Sequence, residues 1–518
     1  MITRLPFHDY LQRTGQVRLQ NVHGTVTFTP DSLVRIEPGP DPRTRYTDTI
    51  RDVSAVLGQA LAAGKRLRCL GRRWSVSPVA TTDGWLLDLS DTTSARWLAS
   101  DDLMPDLAAG RDVAHLLASG GASIRWINWT IHRAGWSLQT TGASNGQAVA
   151  GAIATGTHGS SIHVGALHDT VAAIHVVVSP TEHWWVERKD HPTASPDFVA
   201  RFGAKLVRDD ELFSALQTSL GSLGIVVGVL FRCVRNFWLD LRRYSLSDAG
   251  LPAGRISLAQ LFDHLAAWRF DTLVGQPLAR IRHFDVVLNP YIPEKQCYLS
   301  AYVTADQPPV GTPAEVTGEY RGTEWTPDIL QFVGGLAGGL PGGPAVATEI
   351  GLKTEYAKPV TNTPRVWGGW FTGQDIPHGS LACSFGVSSD QLPLALNTIL
   401  QVVRTRGKVP CVVATRFVPR SPAWLGMNRF ERTCMIDFDG VNVPGMAELL
   451  VEASGAFGAA GVPFTLHWGK WIESLTREHV ERVYGDSVAH WRAARARLLP
   501  DTRLAHTFSN EVLADILL

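Results

Sequence analysis

A chain of 518 residues, 45% hydrophobic and 19% charged, can bury more than one core, so two or three domains are expected. Its 48 lysines and arginines balance 48 aspartates and glutamates, which argues against nucleic acid or anionic lipid as partners and favours a small molecule. The six cysteines, Cys69, Cys233, Cys297, Cys383, Cys411 and Cys434, show no zinc-like spacing. They read as reduced core residues, and no metal is expected.

The opening MITRLPFHDYLQRTGQ lacks the apolar stretch of a secretion signal, and no run of about 18 apolar residues marks a membrane span. Cytoplasmic residence is the expectation. TDTIRDVSAVLGQALAAGKR spaces its apolar residues as a helix, with Gly64 placed to end it before a strand, RLRCLG. The turn GRRWSVSP follows, then a second strand-like run, WLLDL. DVAHLLAS and WINWTIHRAG read as helices, and GSLGIVVGVLFRCV as a strand with its entry turn. To about residue 235 the pattern mixes α and β.

Beyond that point HFDVVLNPY, CYLSAYVT, CVVATRFV and TCMIDFDG read as strands of an antiparallel sheet, with helices such as LPLALNTILQVVRT between them. The run VGGLAGGLPGGP, residues 333–344, is too rich in glycine for an ordered element and reads as a mobile loop, with a lid over a site as the bolder reading.

The strongest local signal is TTGASNGQAVAGAIATGTHGSS, residues 140–161. Its glycines at 142, 146, 151, 156 and 159, with Thr155, Thr157, Ser160 and Ser161 among them, let main chain approach a ligand closely and offer N–H donors suited to a pyrophosphate. The spacing fits neither GxxxxGK[ST] nor GxGxxG.

Together with GRRWS and SLGSLGIVVGVLFRCV, this stretch resembles the flavin-binding half of the vanillyl-alcohol oxidase family, in its sugar-lactone and alditol oxidase branch. The likeness continues through HFDVVLNPY, TEYAKP, LHWGK, HWRAARARLLP and FSN, and so covers nearly the whole chain. It implies an α+β fold with a PCMH-type FAD-binding domain over residues 1–235, then a substrate domain over 236–465 built on a large antiparallel sheet flanked by helices. Residues 466–518 would return to the FAD domain.

By the same resemblance Gly71, Arg72, Arg73, Trp74 and Ser75 would wrap the FAD diphosphate, with Arg72 or Arg73 adding charge-assisted bonds. Gly142, Ala143, Ala148, Gly151, Thr155, Gly156, Thr157 and His158 would line its other side, Ile225 would reach the adenine and His467 the isoalloxazine. Many members of the family carry in this turn a histidine bonded covalently to the flavin. Here that position is Trp74, whose indole has no nucleophilic nitrogen, so FAD is expected without a covalent link.

The resemblance also implies oxidation of a CH–OH group by hydride transfer to flavin N5. Gly142 leaves room for oxygen, which favours oxygen as the acceptor and hydrogen peroxide as product. Such a reaction needs a proton acceptor and a cation. Alternation sets Ala414 and Arg416 on one face of CVVATRFV, and Asp437 and Asp439 on one face of TCMIDFDG. Arg416 and Lys470 are the candidate cations. The family's Glu-x-Arg reads Ala-Thr-Arg here, so its usual carboxylate is missing, and Asp439, Asp437, Glu355 or His467 is left to replace it, Asp439 being favoured. Arg416 with either aspartate equally fits a structural ion pair across a sheet face. Two further readings stand beside the oxidase: a dehydrogenase or oxidative cyclase using another acceptor, and a binding protein that has lost the chemistry.

Overall fold

The computed structural model describes residues 18–108, 112–247, 250–306, 342–356, 364–371, 379–443 and 445–518. The glycine-rich run up to residue 341 and the side chain of Glu355 lie outside the described residues.

The first unit is the expected helix, strand and turn. Helix Arg45–Ala62 buries Ile50, Val53, Val56, Leu57 and Ala60, a stripe at helical spacing. It stops at Gly64, whose φ of +62° is the left-handed conformation that costs glycine nothing. Strand Leu67–Leu70 then pairs in parallel with Trp85–Asp88, which pairs in parallel with Ser32–Arg35. Residues 71–75 therefore leave the carboxyl end of a buried strand.

A second sheet runs, in spatial order, Lys205–Arg208, His183–Glu187, Val171–Val177, Ile225–Arg235, Val113–Ser119 and Ala95–Trp97. Here one expectation fails: DVAHLLAS is no helix but the strand Val113–Ser119, paired antiparallel with residues 228–234. Its adjacent Leu116 and Leu117 are both buried, because both faces of the sheet are covered. A short apolar run of that kind has no period to separate strand from helix. WINWTIHRAG does form the helix Ile124–Arg133, capped by Ser123 Oγ accepting from Trp126 N at 3.1 Å.

The third sheet has eight strands among the described residues: Arg365–Val366, Trp238–Ser245, Cys297–Thr304, Ile281–Leu288, Cys411–Pro419, Arg432–Val441, Ser380–Ser388 and Phe464–Leu466 in spatial order. Every pairing is antiparallel. Helices Leu392–Arg406 and Met446–Ala459 bury Leu396, Ile399, Val403, Leu449 and Phe457 in the core that this sheet shares. Its register sets Asp437 opposite Ala414, Asp439 opposite Val412 and Asp285 opposite Arg416.

After Phe464–Leu466 the chain returns to the N-terminal half. Trp491 Nε1 donates to Thr218 O at 3.1 Å, and Asn510 Nδ2 donates to Val79 O at 3.0 Å and Thr81 O at 3.1 Å. The last helices thus brace the loops that follow the GRRWS turn.

Candidate active site

A cavity of about 510 Å³ lies between the GRRWS turn, the 140–161 loops and the edge of the eight-stranded sheet. Its walls include Gly71, Arg72, Arg73, Trp74, Ser75, Gly142, Ala143, Ala148, Gly151, Thr155, Thr157 and Ile225 from the turn and loops, and Arg416, Asp439, His467 and Lys470 with His158 beside them. Two sequence-derived candidates stand back from it. Gly156 is a left-handed turn residue, φ +77°, against Met427, and Asp437 is buried behind Arg416 and Lys470.

The first wall is main chain. The N–H groups of Gly71, Arg72, Arg73 and Ser75 have no acceptor among the described residues. Bare N–H donors on a cavity wall call for an anionic or carbonyl-bearing ligand. The glycines are sized to this arrangement. A Cβ on Gly71 would sit 2.6 Å from Ala148 Cβ, one on Gly146 would overlap the Trp74 indole, and one on Gly151 would meet nothing within 4 Å and project into open space. Gly142 differs from expectation: its missing Cβ faces Thr157 Cγ2 at 2.8 Å, so glycine there lets two loops pack.

The arginines of the turn also settle differently. Arg72 Nη2 donates to Ser90 O at 3.0 Å, and Arg73, exposed and left-handed at φ +57°, reaches Gln20 O at 3.4 Å. Their charge is spent on carbonyls outside the turn. The turn itself is pinned by the C-terminal return: Val76 N donates to Gly469 O at 2.8 Å and Ser77 Oγ to Trp468 O at 2.5 Å.

The second wall is side chains. Asp437 Oδ2 is 3.1 Å from Arg416 Nη1, and Asp437 Oδ1 is 2.8 Å from Lys470 Nζ and accepts from Ser384 Oγ. Asp439 Oδ1 is 3.5 Å from the same lysine. Burial alone would raise the Asp437 carboxyl, but Arg416 and then Lys470 override it and hold it well below the usual carboxylate range. Burial raises Asp439, which Lys470 only partly offsets. Both cations stay charged, because the aspartates outweigh the burial that would lower them.

Two histidines complete this end, their ring centroids 5.5 Å apart. His158 Nδ1 lies 2.9 Å from Gly159 O and so carries the proton, leaving the Nε2 lone pair unused. His467 Nδ1 accepts from Gly469 N at 2.9 Å, which puts its proton on Nε2. Burial holds both neutral, His158 down at about 4 and His467 well below its ordinary value.

Sequence reasoning missed Asp285 and His283. His283 Nε2 is 3.1 Å from Asp285 Oδ2, and Asp285 faces Arg416 across the strand pair. The signal was present in HFDVV, whose alternation puts both on one face, but only the register shows that the face meets Arg416.

Residues 44–186 match the family model described as FAD binding domain. The chain carries an FAD binding domain. The D-arabinono-1,4-lactone oxidase of Yarrowia lipolytica is 25% identical over 224 residues, 43% of this chain and 38% of that protein. The L-gulonolactone oxidase of Scyliorhinus torazame is 25% identical over 196 residues, 38% of each chain. The chain thus spans less than two-fifths of the length of these curated relatives. Similar solved structures include cholesterol oxidase from B. sterolicum, with TM-score 0.68 and 14% identity over 97% of both chains. Xylooligosaccharide oxidase from Myceliophthora thermophila C1 gives 0.61 and 12% over 97% of this chain and 98% of that one. The fold is therefore that of the PCMH-type, vanillyl-alcohol oxidase-like flavoproteins, as the resemblance implied. No helix among the described residues is long and apolar enough to cross a membrane.

Proposed function

We propose that this chain binds FAD without a covalent link and oxidises a CH–OH group of a small molecule, with oxygen as acceptor and hydrogen peroxide as product. The observation that carries the proposal is one cavity lined by two unlike sets of groups: unpartnered main-chain N–H groups at Gly71–Arg73 and Ser75, and the cluster of Arg416, Lys470 and Asp439. FAD, when bound, supplies a two-electron acceptor for the hydride that leaves the substrate carbon.

The N–H groups of the turn would hold the diphosphate, and the neighbouring glycines would keep side chains out of its way. Trp74 occupies the tethering position, and its indole, packed against Gly146, offers only an aromatic surface. Arg416 and Lys470 would steady the oxygen of the substrate as its proton leaves. Asp439 is the favoured acceptor of that proton. It lines the cavity and is more basic than an ordinary carboxylate, whereas Asp437 is neutralised by two cations. His467, donating from Nε2, and His158, accepting at Nε2, would orient the groups between them.

We take residues 1–235 as the FAD-binding domain, 236–465 as the substrate domain and 466–518 as the returning segment. Six thiols with no disulfide fit a reducing cytoplasm.

The test is a visible spectrum of purified protein before and after acid precipitation, followed by peroxide assays on sugar lactones, alditols, long-chain alcohols and sterols. Flavin bands whose colour passes to the supernatant, and peroxide formed with one of these classes, are expected. Colour kept in the pellet would overturn the reading of Trp74, and turnover with a dye but not with oxygen would favour the dehydrogenase.

A further inference from the structure

Arg68 is buried in the strand leading to the GRRWS turn, lines the cavity, and has no carboxylate partner among the described residues. Its guanidinium is instead surrounded by main-chain carbonyls from three segments. Nη1 donates to Gly221 O at 2.7 Å and Phe508 O at 3.4 Å, and Nη2 to Val79 O at 2.6 Å and Leu220 O at 2.6 Å. A buried cation without a counter-ion is costly, and among the described residues four main-chain carbonyls compensate it.

Two of these carbonyls belong to a strained loop. Leu220 and Gly221 are both left-handed, φ +51° and +64°, and a leucine holds that conformation only where its surroundings impose it. The loop, with Ser219, Gly224 and Ile225, lines the cavity. The same guanidinium ties it to Val79, just beyond the turn, and to Phe508 of the returning segment.

We propose that Arg68 is a positioning residue for FAD binding: its planar fork fixes the strained Leu220–Gly221 loop in the shape that accepts the cofactor. Its four terminal N–H bonds are used within the protein, so it acts through the loop it holds. The inference rests on the FAD reading above but is testable apart from it.

The distinguishing variant is Arg68→Lys, which keeps the charge and loses the fork. It is expected to weaken FAD binding about tenfold, measured as Kd by fluorescence titration of the apoprotein, and to speed amide hydrogen exchange at residues 219–222. Gly221→Ala, whose new Cβ would sit 3.2 Å from Arg68 Nη2, leaves residue 68 in place and should do the same. Adding Leu220→Gly to Arg68→Lys removes the strain and should recover most of the lost affinity. A Lys variant with wild-type Kd and unchanged exchange at 219–222 would overturn the proposal. If the wild type takes up no FAD, the functional reading falls, and the exchange of 219–222 still decides the role of Arg68.

Discussion

The two walls of the cavity are built from opposite materials. On the GRRWS side the cavity wall offers main-chain N–H groups, and the two arginines of the turn point elsewhere: Arg72 to Ser90, Arg73 to Gln20. On the sheet side the functional atoms are charged side chains held on neighbouring strands and the HWGK turn, with Asp437 at the centre. The difference teaches how each wall can fail. A main-chain wall is damaged by adding an atom, and a side-chain wall by removing a charge.

Each half of that contrast is open to measurement. Arg416→Met should lower kcat/KM by roughly 10²–10³-fold while leaving the flavin spectrum intact; loss of the flavin instead would mean that the sheet wall also retains the cofactor. The next largest effect is in acid. His158 is lowered from 6.5 to about 4, so its contribution to stability is complete above its unfolded value and is lost as pH falls from 6.5 towards 4. At 1.36 kcal/mol per pH unit this is on the order of 3 kcal/mol. Thermal melts of the apoprotein should therefore fall steeply over that window, and His158→Asn should make the fall shallower. An unchanged slope would move the acid lability to other buried imidazoles.

Gly71→Ala tests the main-chain wall. Crowding Ala148 should cost about 1–3 kcal/mol, read as a FAD Kd raised by at least about fivefold with little change in the charge cluster. The smallest effect belongs to Arg73→Ala. Its exposed guanidinium should contribute less than about 0.5 kcal/mol, so FAD affinity should hold within about twofold. A large loss there would return the turn to recognition by side-chain charge.

The sequence pointed to the main-chain wall because glycines announce where a backbone must come close, and Gly71 and Gly151 do line the cavity. It could not say where a guanidinium ends. Arg72 and Arg73 looked like phosphate ligands, while Arg68, hidden in the strand before them, went unremarked. On the sheet, alternation placed Arg416, Asp437 and Asp439 on converging faces, and the strands do pair. Which aspartate is neutralised depends on the approach of Lys470 from the C-terminal turn, a long-range contact with no local signature. The same limit explains Val113–Ser119, where burial on both faces erased the period that would have marked a strand.

The returning segment sets a condition on biosynthesis. Carbonyls of Trp468, Gly469 and Phe508, and the amide of Asn510, anchor residues that border the cavity. A ribosome makes those anchors after the eight-stranded sheet, so a nascent chain that has only reached the sheet presents a cradle still open at the back. Capture of the proposed coenzyme would then wait for the segment after residue 466, and chains truncated at that point should be isolated without FAD.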